Sequence, residues 1–217
     1  HYSREGADEL VFLDISATVE ARRHVVELAR RVAREVFIPF TIGGGIRSLD
    51  DIEALLRAGA DKVALNTAAL AEPELITEGA QRFGSQCMVL AVDIQRSGAG
   101  WDVYSHGGSR PTGREARSWV TEAVERGAGE ILLTSIDADG TQAGVDLEIT
   151  RLVSRSVPVP VIASGGIGQL EHFQAALEEG EADAVLAASV FHRGIFSIRE
   201  VKDFLSLNGL PVRPLGD

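Results

Sequence analysis

Cysteine, methionine and basic side chains are scarce in this chain of 217 residues. Its one cysteine, Cys87, cannot form an intrachain disulfide, and we expect a protein of the reducing cytoplasm. No apolar run approaches the roughly 20 residues that span a bilayer, and no signal peptide is recognisable, so we expect no association with a membrane. Acidic residues outnumber basic ones by 32 to 21, and the formal charge of -11 argues against general binding to nucleic acid.

Short apolar runs alternate with amphipathic segments along the chain. The runs are nearly continuously apolar, which is typical of parallel strands buried on both faces. We predict seven strands, at Leu10–Ile15, Pro39–Ile42, Lys62–Asn66, Met88–Asp93, Glu130–Ser135, Pro160–Ala163 and Ala184–Ser189. Helical segments lie between them, and four end in a glycine, where a helix C-terminus favours positive φ: Gly59, Gly84, Gly127 and Gly180. Repeated βα units predict one α/β domain.

A long internal repeat relates the two halves of the chain. GADELVFLDI begins at Gly6 and resembles GAGEILLTSI, which begins 121 residues later at Gly127. IPFTIGGGI and VPVIASGGI, beginning at Ile38 and Val159, have the same offset of 121 residues. This period is too long for a solenoid and indicates two half-barrels of a (β/α)8 TIM barrel. Because such a barrel needs eight strands, we predict one barrel domain over residues 1–217 whose first βα unit is not among them.

Two glycine-rich loops follow equivalent strands of the repeat. Glycine lets a ligand approach backbone N–H groups, and the next helix adds a positive N-terminal end, as a phosphate site requires. A tight βα turn is the alternative for either loop alone. The following strands end in Asn-Thr and Ala-Ser, and the matched copies predict a substrate with a phosphate at each end. The candidate residues are Gly45, Asn66, Thr67, Gly165, Gly166, Ala188 and Ser189.

Carboxylates at strand ends are the candidates for general acid–base chemistry. Asp93 ends an apolar strand, and Asp139 and Thr134 follow or end the strand beginning at Glu130. The alternatives are a loop cap for Asp93, a plain Asp-Gly turn for Asp139 and a buried β-branched residue for Thr134. The five histidines show no metal-ligand spacing, so no metal site is predicted. The polar segment 95–113 is either a hairpin over the barrel mouth or a surface loop.

Charged residues also stand at three strand starts. Glu9, Lys62 and Glu130 occupy equivalent positions before or at the first residue of a strand. They are either ordinary solvated strand ends or a salt-bridged ring that closes the base of the barrel.

Strings spread over nearly the whole chain resemble one known family. They are DELVFLDI, PFTIGGGI, GADKVALNTAA, FGSQ, GAGEILLTSIDADGT, ASGGIG, EHF and LAASVFH. In these strings and their spacing, the sequence resembles the cyclase subunits of imidazole glycerol phosphate synthase, from histidine biosynthesis. A sibling family of isomerases shares the barrel, the repeat and the phosphate loops, but GAGEILLTSID followed by LAASVFH looks like the cyclase.

The resemblance implies a lyase that needs neither a metal nor a redox cofactor. With ammonia it converts a bisphosphorylated aminoimidazole carboxamide ribonucleotide with a ribulosyl arm (PRFAR) to imidazole glycerol phosphate and AICAR, by imine formation, carbon–nitrogen cleavage and ring closure. Asp93 matches one of two catalytic aspartates, and the other belongs to the first strand. Thr134 and Asp139 match positions that contact substrate or support catalysis. Gly45, Asn66 and Thr67 match one phosphate site, and Gly166, Ala188 and Ser189 match the other.

The resemblance also implies a partner. Ammonia in this family comes from a glutaminase subunit that docks on the amino-terminal face of the barrel to form a heterodimer. Glu9, Lys62 and Glu130 match a charged gate at the base, and Asp61 matches a docking-face residue. One departure is Ala138, which stands where the family leads us to expect arginine.

Two other interpretations of the whole chain stay open. One is the sibling phosphoribosyl-aminoimidazole carboxamide isomerase (ProFAR isomerase). The other is an inactive truncated barrel that serves as a scaffold and still docks a glutaminase.

Overall fold

A computed structural model describes residues 1–13 and 19–214, without the side chains of residues 19–23. The strands are β1 (Leu10–Leu13), β2 (Phe40–Gly43), β3 (Lys62–Leu65), β4 (Met88–Ser97), β5 (Gly100–Ser105), β6 (Arg110–Glu115), β7 (Glu130–Ser135), β8 (Val161–Ser164) and β9 (Ala184–Leu186). The helices are α1 (Val19–Glu35), α2 (Leu49–Arg57), α3 (Thr67–Ala71), α4 (Glu74–Phe83), α5 (Ala116–Glu125), α6 (Leu147–Ser154), α7 (Leu170–Glu178), α8 (Ser189–His192) and α9 (Ile198–Leu207).

A parallel sheet with the order β1-β2-β3-β4-β7-β8-β9 forms the centre of the fold. Each strand pairs in parallel with its neighbours in that order, as helical crossovers require. Residues of its two outer strands, β1 and β9, line one cavity of about 840 Å³, which shows that the sheet curls. The parallel α/β architecture predicted from the alternating runs is confirmed, and the curled sheet is consistent with a TIM barrel.

Apolar side chains on the two faces of the sheet form separate layers. The outer face packs against the helices through large buried residues such as Ile42, Ile52 and Trp119. The inner face forms a smaller cluster in which Ala64, Val89, Leu132 and Ile162 meet. Successive strand residues alternate between these layers, so both faces of each strand are apolar.

The predicted strand bounds are correct to within a few residues, and the largest differences are at β4, which continues to Ser97 instead of Asp93, and at β9. The last strand ends at Leu186 instead of Ser189, and Ser189 begins the short helix α8.

Of the four helix-end glycines, Gly59, Gly84 and Gly127 adopt the predicted positive φ, but for Gly180 the prediction is wrong. Glu181 takes the positive φ there, and a Cβ on Gly180 would lie 2.5 Å from the Ala176 carbonyl oxygen. Ile15, the predicted end of the first strand, lies outside the described residues.

The segment after Asp93 forms a hairpin. Strand β4 continues to Ser97, and β5 and β6 add to it in antiparallel fashion. Arg96 fixes the base of the hairpin, since its backbone N–H donates to Asp137 at 2.8 Å and its guanidinium lies 4.3 Å from the centre of the Trp101 ring. Trp101 in turn donates from Nε1 to Asp146 at 2.9 Å. The hairpin alternative for this segment is therefore correct.

Within residues 1–13 and 19–214, none of the helices is both long enough and apolar enough to cross a bilayer.

We predict that Gly129→Ala lowers the free energy of unfolding by about 2–3 kcal/mol, the upper part of the range for overpacking. A Cβ at this position would lie 2.2 Å from the Ser85 carbonyl oxygen and 2.7 Å from its carbon, and neither backbone atom can rotate away. Gly100→Ala is the matched control, because a Cβ there has open space around it. Urea unfolding of both variants measures the difference, and equal midpoints would contradict the prediction.

Candidate active site

Three parallel strands bring the polar candidates together at their carboxyl ends. The register pairs Asp93 on β4 with Thr134 on β7, and Thr134 with Ser164 on β8. Asn66 directly follows β3, the neighbour of β4 on its other side. Paired residues of adjacent strands point to the same face, so Asp93 and Thr134 project together on the inner side of the sheet.

Asp93 is held by groups from two different elements. The Asn66 side chain donates from Nδ2 to Asp93 Oδ2 at 2.9 Å, and the backbone N–H of Gly108 on the hairpin also binds the carboxylate. Burial raises the pKa of Asp93, and the nearby charge of Asp139 raises it further, while the two hydrogen bonds act in the opposite direction. A carboxyl group with a raised pKa is a stronger base than a surface aspartate, which suits it to general acid–base chemistry.

Asp139 and Thr134 differ in how they are placed around Asp93. Asp139 lies exposed in the loop after β7, close enough for its charge to act on Asp93, and its backbone N–H donates to the Ser135 carbonyl at 2.9 Å. Thr134 is half-buried beside Asp93 in the sheet. The structure therefore brings all three proposed catalytic residues to one edge, and their roles stay predictions.

The two glycine-rich loops have matching backbones. Gly44 and Gly45 have φ values of 105° and 68°, and their repeat equivalents Gly165 and Gly166 have 94° and 90°. All four occupy the region that favours glycine. The loops differ in cover, because Gly165 and Gly166 are buried and the Gly166 carbonyl accepts a hydrogen bond of 2.8 Å from the Gly144 backbone N–H. The second pair therefore also serves close packing.

Of the two helices that follow these loops, only α2 differs from the sequence expectation. Its N-terminus is capped by Ser48, whose side chain accepts from the Asp51 backbone N–H, and two acidic residues lie in its first turn. The start of α7, after the second loop, has no side-chain cap among the described residues, and the same is true of α3 and α8. Thr67 and Ser189 are the first residues of α3 and α8, so backbone N–H groups are available there as well.

The hairpin tip lies over the first phosphate-site candidates. The His106 backbone N–H donates to Thr67 Oγ1 at 2.9 Å, and His106 holds a φ of 54°, unusual for a residue with a side chain. Gly108, also at the tip, interacts with Asp93, so the tip contacts both Thr67 and Asp93 near the end of β3. Sequence reasoning missed this contact, and the pair Gly107-Gly108 marks a turn without showing what the turn touches.

A salt-bridged cluster occupies the opposite end of the sheet. Lys62 Nζ lies 2.9 Å from the nearer carboxylate oxygen of Glu9 and 2.9 Å from that of Glu130. The exposed fractions of the side chains are 18% for Lys62, 12% for Glu130 and 40% for Glu9. The three predicted base residues thus form the salt-bridged arrangement, and the alternative of independent solvated strand ends is wrong.

Charge balance in this cluster decides its protonation. Burial by itself lowers the pKa of Lys62, but the hydrogen bonds to Glu130 and Glu9 outweigh it and hold the pKa above its usual value. Burial raises the pKa of Glu130, helped by the charges of Glu9 and Asp183 and opposed by Lys62. One cation shared between two carboxylates leaves a net negative charge at the base of the sheet.

Asp61 has a structural contact of its own on this face. Its exposed carboxylate accepts from the Phe40 backbone N–H at 2.9 Å, at the start of β2. Asp183, near the start of β9, makes the equivalent contact of 2.9 Å with the Val161 backbone N–H. Each aspartate therefore satisfies the first N–H of a neighbouring strand while it faces solvent.

Across residues 1–13 and 19–214, there is no group of three or more histidine, cysteine or carboxylate side chains placed to hold a metal ion.

Comparisons with known proteins point to one family. The family model described as histidine biosynthesis protein matches residues 1–197. Relatives that carry the name imidazole glycerol phosphate synthase subunit HisF occur in Dehalococcoides mccartyi: the protein of strain BAV1 is 58% identical over 212 residues. Those of strains 195 and CBDB1 are each 57% identical. Each match covers 98% of this chain and 84% of the relative.

We predict that Lys62→Met lowers the free energy of unfolding by about 3 kcal/mol, because it leaves the buried Glu130 carboxylate without its partner. Glu9→Gln is the matched control. It removes the more exposed carboxylate and keeps the Lys62–Glu130 pair, so its cost is below about 1 kcal/mol. Chemical denaturation at neutral pH compares the two, and an equal loss in both variants would contradict the ranking.

We predict that Asp93→Asn makes the fold more stable by about 1 kcal/mol at pH 8 and that this gain disappears near pH 4. A carboxyl group whose folded-state pKa lies above its usual value of 3.8 contributes stability below that value. The contribution is lost as the pH rises through the folded-state pKa. Thermal unfolding of both proteins at the two pH values measures it, and a pH-independent difference would disprove it.

Proposed function

The chain belongs to the family of histidine biosynthesis proteins, and from that premise we propose that it is the cyclase subunit of imidazole glycerol phosphate synthase, a lyase. The observation that carries the proposal is 58% identity over 98% of the chain to a protein of that name. The half-buried carboxylate of Asp93 at the carboxyl edge of a parallel sheet supports it, because barrel enzymes place their chemistry at this edge.

The proposed reaction is proton-transfer chemistry on a bisphosphorylated substrate, PRFAR. Ammonia forms an imine at the carbonyl of the ribulosyl arm with release of water, the carbon–nitrogen bond to the ribonucleotide breaks with AICAR as the leaving group, and the imidazole ring closes to give imidazole glycerol phosphate. Asp93 acts as one general acid or base, with Thr134 and Asp139 beside it. Its raised pKa favours this role, since the ionised carboxylate is a stronger base and the protonated form is more populated than for a surface aspartate.

The two phosphate groups bind at the two halves of the repeat. Gly45 with the start of α3 takes one phosphate, through backbone N–H groups at Asn66 and Thr67 and the Thr67 hydroxyl. The second phosphate binds at the loop of Gly165 and Gly166 with the start of α8, at Ala188 and Ser189. The uncapped helix starts and the matched backbone of the loops support this arrangement.

Ammonia enters from the amino-terminal end of the sheet. The cluster of Glu9, Lys62 and Glu130 forms the gate there, and the apolar inner face of the sheet leads from it toward Asp93. The relatives are named as a subunit, which supports a complex, and the partner we propose is a glutaminase. Phe37 and Leu207, 88% and 87% exposed, lie near this end and suit a docking surface that includes Asp61.

The proposed domain is a single barrel closed by eight parallel strands, working in the cytoplasm. Among the described residues, β1 and β9 each pair on one side, and the cavity between them is lined by apolar side chains from both. One further strand with its helix would pair with both edges there. That strand is also where the second catalytic carboxylate would stand.

We predict that the protein turns over PRFAR with ammonium salts and that Asp93→Asn lowers kcat at least about 100-fold without lowering Tm. The control is Asp203→Asn, on the exposed side of α9, which keeps full activity. Product formation is followed by the release of AICAR, first with ammonium salts and then with glutamine and an added glutaminase.

Two outcomes would overturn this proposal. Conversion of the aminoaldose ProFAR to its ring-opened ketose, with no use of ammonia, would assign the sibling isomerase instead. Binding of the glutaminase without turnover of PRFAR under either nitrogen source would assign a scaffold. Full activity of Asp93→Asn would leave the enzyme but remove Asp93 from its catalytic role.

A further inference from the structure

Asn66 uses its side chain differently from a phosphate ligand. Its Nδ2 donates to Asp93 Oδ2 at 2.9 Å, so this N–H₂ group is aimed at a carboxylate. An anionic phosphate at the same group would lie beside the charge of Asp93 and be repelled by it. The side chain therefore serves Asp93, whatever the backbone of Asn66 binds.

The other end of the same amide carries the second observation. Asn66 Oδ1 is buried and has no hydrogen-bond partner in the described part of the chain. A buried acceptor left unpaired destabilises the fold. If the amide were rotated by 180°, its Oδ1 would face the Asp93 carboxylate and repel it. In the observed orientation Nδ2 donates to Asp93 and Oδ1 is left unpaired. An apolar side chain would avoid this cost if the position served only packing.

The internal repeat shows that a phosphate-site candidate does not need this amide. The equivalent residue in the second half is Ala188, which also precedes a short helix without a side-chain cap. The phosphate-site candidate of the second half is thus built without an amide side chain. In the first half the amide lies at hydrogen-bond distance from Asp93 on the neighbouring strand.

We propose that Asn66 is a positioning residue for Asp93: its amide N–H₂ group fixes the orientation of the carboxylate and favours its ionised form. This inference rests on the proposed function for its catalytic consequence. The donor comes from the end of β3, and the Gly108 backbone N–H at the hairpin tip acts on the pKa of Asp93 in the same direction. A carboxylate bound by a fixed donor keeps its orientation and directs its remaining lone pairs at the substrate.

Burial and the charge of Asp139 oppose this effect. The titratable residues on the elements packed around Asp93 are Asp137 and Asp139 in the loop after β7, and Tyr104 and His106 on the hairpin. Burial and the Asp139 charge both raise the pKa of Asp93, so the Asn66 donor is one of two contacts that keep the proton from being held too tightly.

The first test is a direct titration of Asp93 by carbon-detected NMR of labelled aspartate carboxyl groups, which needs no turnover. Asn66→Ala raises the pKa of Asp93, and Asn66→Asp raises it more, because it replaces a donor by a second charge of the same shape. The control is Thr77→Val, which removes another buried, unpartnered oxygen, on helix α4 that packs against the outer face of the sheet, away from the inner face that carries Asp93. It leaves the titration unchanged.

The second test separates positioning from phosphate binding by steady-state kinetics with ammonium salts. Asn66→Ala lowers kcat by about 10- to 100-fold, shifts the acidic limb of the pH profile upward and changes KM for PRFAR by less than about twofold. Thr67→Val, at a phosphate-site candidate, raises KM instead. Thermal unfolding of each variant excludes loss of fold as the cause.

The outcomes distinguish this inference from the proposed function. An unchanged Asp93 titration in Asn66→Ala, or a rise in KM with kcat intact, would overturn the positioning role and return the side chain to phosphate binding. A wild-type protein inactive on PRFAR would overturn the proposed function alone, since the NMR titration would still report on the contact between Asn66 and Asp93.

Discussion

The cost of burying charge inside a parallel sheet governs the layout of this protein. Both faces of each strand are apolar, so ionised groups are stable only at the two ends, where partners or solvent reach them. At the amino end, Lys62 compensates Glu9 and Glu130. At the carboxyl end, Asp93 has amide donors in place of a cation, and its proton affinity is raised. The same constraint thus yields a closed ion cluster at one end and a reactive carboxyl group at the other.

Much of this layout was predictable from the sequence, because the decisive signals are local. Continuous apolar runs predicted the parallel strands, and the 121-residue repeat matched the glycine-rich loops at 44–45 and 165–166, whose φ values are alike. Strand starts and ends were enough to group Glu9, Lys62 and Glu130 at one edge and Asp93, Thr134 and Asp139 at the other, since parallel strands align their ends.

The features that escaped prediction depend on contacts between distant segments. Asn66 was expected at a phosphate, and no spacing rule shows that its amide reaches Asp93 or that the hairpin tip contacts Thr67. The repeat itself misled at one point. Gly180 aligns with Gly59, but the residue inserted after it, Glu181, takes the positive φ, because Gly180 is packed against the Ala176 carbonyl. Helix α8 escaped because four residues carry no periodic signal.

The repeat is faithful in its glycine loops and broken at Asn66 and Ala188. On the proposed function, a substrate with a phosphate at each end would meet two loops with similar φ values, so the loops alone would hardly distinguish a molecule from its reversed copy. Discrimination between the two directions would then depend on residues between the loops, where, among the described residues, the first half has the Asn66 amide on Asp93 and the second half has Ala188. Divergence of the two halves at this one position would make the ligand bind in a single orientation.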